Sequence, residues 1–127
     1  MRFAIRFVLL FALLSCLLSA PVRALEYEVD TSLVCDTQAE VERFVAVFTG
    51  DAQDAIRVVN AEEQNPNACL INNVAYMRGD RLGMVRNRDI AFEIVRILVV
   101  GIKTENGILP VRPSVYFSIL SVKEYAI

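Results

Sequence analysis

The sequence predicts an α+β domain in which an N-terminal αα-hairpin packs on a three- to four-stranded antiparallel sheet, held by one disulfide. Three observations predict it. Helix signals are confined to residues 37–63. From Cys69 onward the chain is rich in β-branched and aromatic residues punctuated by turn signals. The helical stretch is flanked by one cysteine on each side, Cys35 and Cys69.

The first 24 residues stand apart from this domain. Arg2 and Arg6 begin them, residues 7–18 are apolar except for Ser15 and Cys16, and Val22-Arg23-Ala24 offers small residues at the peptidase positions. That is the pattern of a cleavable secretory signal peptide over residues 1–24, leaving one small α+β domain at 25–127. The apolar run is shorter than the ~20 residues a membrane-spanning helix needs. Leu13-Leu14-Ser15-Cys16 loosely resembles a lipobox, but the apolar run continues past Cys16 where a lipoprotein would turn polar.

Cleavage removes Arg2, Arg6 and Arg23, leaving all 15 acidic residues against 10 of the 13 basic ones, a net charge of −5. An acidic domain is a poor binder of nucleic acid, whose affinity comes largely from neutralised phosphates, and of an anionic membrane surface. The longest later apolar run, Ile97-Leu98-Val99-Val100-Gly101-Ile102, suits a buried strand rather than a membrane span, so a soluble mature protein is expected. Cys16 leaves with the leader. The remaining pair in an exported chain reads as a Cys35–Cys69 disulfide, which would stabilise the fold by about 3–4 kcal/mol.

Taken in order, residues 25–34 carry Glu26, Glu28 and Asp30 on weak alternation, and read as an ordered lead-in in preference to an edge strand. Thr37-Gln38-Ala39-Glu40 is a capping box, followed by an apolar stripe of Val41, Phe44, Val45 and Phe48 and closed by Gly50. Asp51 caps a second helix, whose buried face is Ala52, Ala55, Ile56 and Val59 and which runs out near Glu63 before Asn65-Pro66-Asn67. Strands are expected at 69–77, 82–86, 90–103 and 115–125, with breaks at Gly79-Asp80, Asn87-Arg88-Asp89 and Glu105-Asn106-Gly107. Two prolines in 109–113 predict an irregular surface crossing.

The third strand is apolar on both faces, with Val95, Ile97 and Val99 alternating against Ile94, Leu98 and Val100. Helices cover one face. Curling into a half-barrel would cover the other, and a homodimer packed sheet on sheet is the alternative.

The chain has no histidine, which excludes Ser–His–Asp and Cys–His catalysis and histidine-ligated metal. Its five glycines form no phosphate loop. Glu62–Glu63 and Asp51–Asp54 read as surface and capping carboxylates, so no catalytic residue, cofactor or metal is expected. The candidate site is basic. Arg78, Arg81, Arg86 and Arg88, tempered by Asp80 and Asp89, would bind an anion or a partner if a hairpin brought them to one rim, or would pair with Asp80, Asp89 and Glu93. Tyr76, Phe92, Tyr116, Phe117 and Tyr125 read as strand packing, with a stacking groove as the alternative, and Asn72-Asn73 is unusual inside a strand.

Gly50-Asp51-Ala52, Asn60-Ala61-Glu62, Asn65-Pro66 with Cys69, and Val95-Arg96-Ile97-Leu98-Val99-Val100-Gly101 resemble small exported proteins of Gram-negative bacteria over nearly all of the mature chain. The resemblance implies a periplasmic or secreted location and brings no catalytic signature with it. The expected function is an exported, non-enzymatic binding or interaction module of the bacterial envelope. The alternative is a small-molecule or anion carrier using the arginine hairpin.

Overall fold

A computed structural model describes residues 26–122, so the expected leader and Tyr125 lie outside the described residues. The elements run β1 (Glu28–Cys35), α1 (Gln38–Val47), α2 (Ala52–Glu62), β2 (Cys69–Asn87), β3 (Ile90–Thr104) and β4 (Gly107–Val122).

The mixed α+β class holds, but the helices are not N-terminal. Residues 28–35 are a strand, not a lead-in, and pair antiparallel with β2 from Glu28↔Tyr76 to Cys35↔Cys69. The alternation was weak because only Leu33 and Cys35 are buried, while the acidic half of β1 is exposed. The αα-hairpin is therefore an insertion within a β-hairpin. Cys35 and Cys69, 34 residues apart in sequence, close its base as a disulfide with S–S 2.02 Å.

Thr37 and Glu40 form the capping box: Glu40 N donates to Thr37 Oγ1 at 3.2 Å and Thr37 N to Glu40 Oε1 at 2.8 Å. α1 ends at Val47 with Phe48 as its cap, and Gly50 lies beyond the helix at φ +113°. Asp51 then caps α2 by accepting from Gln53 N at 2.9 Å and Asp54 N at 3.3 Å. Asn60 ties α2 to the start of β2: its Nδ2 donates to Pro66 O (2.9 Å) and Cys69 O (3.0 Å), and its Oδ1 accepts from Cys69 N (2.8 Å). Asn87 ties the other end of β2 to α1, donating to Val45 O and Phe48 O at 2.5 and 2.6 Å.

One expected break is absent, and the irregular crossing expected at 109–113 is reduced to an interruption of the ladder within a strand. β2 runs unbroken through Gly79-Asp80, with register shifts between Arg78 and Arg81 and between Arg81 and Gly83. Those shifts absorb extra residues without ending the ladder, and let Tyr76 pair with Val99 while Val85 pairs with Phe92. Gly79 belongs there because a Cβ would come within 2.9 Å of Arg96 O. β4 likewise begins at Gly107, and its prolines lie inside it. Pro110 stands opposite Gly101, and the ladder resumes only at Ser114 opposite Val99. β4 tolerates Pro because its other side is a sheet edge along this stretch, where no ladder N–H is required.

The four strands close into a small barrel in the order β1-β2-β3-β4. That resolves the two-faced apolar strand. One core lies between sheet and helices, built on Val41, Phe44, Val45, Ile56 and Val59 against Leu33, Phe92 and Ile94. The second lies on the opposite face and comprises Val74, Tyr76, Val95, Ile97 and Val99, with Val34, Val111, Tyr116 and Leu120 packed on it. Curling covers the second face, and goes further than the half-barrel expected.

Candidate functional site

Antiparallel register would zip β1 and β4 together along their shared length, yet among the described residues they pair only at Cys35↔Phe117. Among the described residues, the outer edge of residues 30–34 and the facing edge of β4 at residues 118–122 therefore carry no ladder partner in each other. A cleft opens on each side of the closing pair.

The first cleft, about 370 Å³, lies between residues 30–33 of β1 and 118–120 of β4. Tyr76, Val95 and Ile97 line it from the barrel interior, and Phe44, Phe48 and Phe92 from the helix side. The aromatic wall is preorganised. Phe44 and Phe48 stack at 5.7 Å between ring centroids, and Phe48 meets Phe92 edge-on at 6.1 Å. At the rim, Asp30 Oδ1 accepts the Thr31 N–H at 2.8 Å, and Asp30 has no cationic partner among the described residues.

The second cleft, about 460 Å³, lies on the other side of Cys35↔Phe117, between the start of β2 and residues 111–116 of β4. Val74, Val99 and Val111 form its apolar floor, while Asp36, Asn72 and Arg112 are among its polar lining. Burial, reinforced by the charge of Glu40, pushes the Asp36 carboxyl above its ordinary pKa. Both volumes fall within the range of small-ligand sites.

The four arginines lie along β2 and its turn. Arg78 Nε and Nη2 donate to Glu28 Oε2 and Oε1 at 3.2 and 3.0 Å, bridging β2 to β1. Burial opposes the Arg78 charge, but hydrogen bonding to Tyr76 and the charge of Glu28 hold its pKa above the ordinary arginine value. Arg81 Nε sits 2.9 Å from Glu93 Oε1 on β3, the expected ion pair. Arg86 is also engaged, and Arg88 takes the left-handed conformation (φ +54°) in the turn after β2. Asp80 pairs with Arg96 at 3.4 Å rather than with one of the four. Among the expected carboxylates, Asp51 is a cap and Glu62 holds Arg43 at 2.8 Å.

Sequence reasoning did not single out Arg112 or Asp36. The available signals were the prolines flanking Arg112 and the unusual Asn72-Asn73. The structure accounts for the latter: Asn73 bonds Thr31 across the ladder, and Asn72 lines the second cleft.

Comparison with protein-family models, with curated proteins and with solved structures found no match, so the functional reading rests on the residues of this chain.

Proposed function

We propose that the chain is exported, loses residues 1–24, and acts in the bacterial envelope or outside the cell as a non-enzymatic binding module that takes an extended segment of a protein partner along its β1/β4 seam. The observation that carries this reading is that, among the described residues, Cys35↔Phe117 is the single pair joining the facing edges of β1 and β4 across an apolar cleft. An added strand would satisfy backbone groups on both edges, and its alternate side chains would enter the barrel interior and the aromatic wall. A basic residue in the segment would complement Asp30. The formed disulfide fits an oxidising compartment.

The test is selection of extended peptides from a random library on the oxidised protein, followed by amide-shift mapping. The reading requires enriched peptides with alternating apolar residues, and shifts centred on residues 28–34 and 118–122. Binders that map only to residues 78–88 would support the second reading, an anion site at Arg78, Arg81, Arg86 and Arg88, which must draw Arg78 and Arg81 away from Glu28 and Glu93.

A further inference from the structure

We propose that the second cleft binds a small amphipathic carboxylate, an aliphatic body carrying one singly charged head, with Arg112 as the head-group ligand. This is independent of strand addition, since it uses the opposite side of the closing pair.

The floor of the cleft is core, not surface. Val74 and Val99 belong to the inner apolar cluster, and Val111 and Tyr116 pack against it. At the same cleft Leu70 remains 42% exposed. An aliphatic body lying there would extend the barrel's own core outward and cover Leu70, which is the ordinary driving force for apolar ligands.

The head is assigned from charge. Arg43, Arg57, Arg78, Arg81 and Arg96 each have a carboxylate within 3.4 Å. Arg112 lines the cleft with no carboxylate partner among the described residues, in a chain with 15 acidic side chains. Its planar fork matches a carboxylate bidentately. Asp36 lines the same cleft, so site and head together tolerate one negative charge better than two. Asn72 Oδ1 already accepts from Asn73 N at 2.8 Å, so its NH₂ is the group it offers a second carboxylate oxygen.

Calorimetric titration of the oxidised protein with decanoate, decanol and decyl phosphate, each below its micellar concentration, tests the assignment. Expected are saturable 1:1 binding of decanoate, amide shifts at Val74, Val99 and Tyr116, and affinity about tenfold weaker for decanol and for Arg112→Gln, the loss of one charge-assisted contact. Arg112 is exposed, so the variant should keep the parent's melting temperature. The assignment is overturned by no saturable decanoate binding, by equal affinity in Arg112→Gln or for decanol, or by shifts confined to residues 30–33 and 118–120. Tighter binding of decyl phosphate would overturn the singly charged head.

Discussion

Cys35 is paired on both sides: with Cys69 through the β1–β2 ladder and the disulfide, and with Phe117 across the seam of the barrel. One residue thus closes the base of the helical insertion and closes the barrel. The clefts exist because the chain turns away into α1 immediately after this point and because β1 leaves β4 immediately before it.

Reduction, or the Cys35→Ser/Cys69→Ser pair of substitutions, is expected to cost about 3–4 kcal/mol, read by denaturant unfolding of the oxidised and reduced forms. Since Cys35 is also the partner of Phe117, amide exchange at Phe117 should accelerate more than exchange within β3.

Asn60 makes three hydrogen bonds that fix the chain between α2 and β2, two of them to Cys69. Asn60→Ala leaves the Cys69 backbone groups without those partners, and is expected to cost about 2–3 kcal/mol. Asn60→Asp, which keeps the acceptor for Cys69 N but loses both donors, should fall between the two. Chemical denaturation of the three proteins measures the order.

At Gly101 a Cβ would meet Ile108 Cγ2 at 2.6 Å and Leu109 O at 3.1 Å. Gly101→Ala should therefore destabilise by about 1–3 kcal/mol. Ile108→Ala in the same chain removes the nearer clash, and should restore part of the loss in a double-mutant comparison.

Asp36 gives the pH dependence. Its pKa in the folded chain is raised above 3.8, chiefly by burial and then by Glu40. The folded state holds this proton more tightly than the unfolded state. Ionisation therefore opposes folding as pH rises through that interval, and the penalty is fully present at neutral pH. Asp36 is exposed, so solvent screens the penalty: Asp36→Asn should raise the melting temperature at pH 7 only slightly, and the gain should vanish once the pH falls below 3.8.

Both helices were legible in the sequence because their signals are local: Thr37, Glu40 and Asp51 sit at the caps, and the apolar stripes match the buried faces. The disulfide was legible from two cysteines flanking a hairpin. β1 was not, because a strand buried at one end shows half an alternation. Nor was the continuity of β2, since Gly79 reads as a turn until Arg96 O is seen beneath it. Among the described residues barrel closure depends on one long-range pair, Cys35↔Phe117, and no local pattern encodes it. The clefts inherit that limit: Arg112 and Asp36 are 76 positions apart in sequence and come to line one cleft only through the fold.

The central claim is that the seam is joined at Cys35↔Phe117 and open beyond it. Residue-resolved amide hydrogen exchange on the free, oxidised protein tests it most directly. An open seam predicts that Cys35 and the β2-facing amides of β1 are protected, while the outward amides of residues 28–34 and those of β4 beyond Phe117 exchange rapidly. Uniform protection along both edges would mean that the edges are already paired, and would contradict the account.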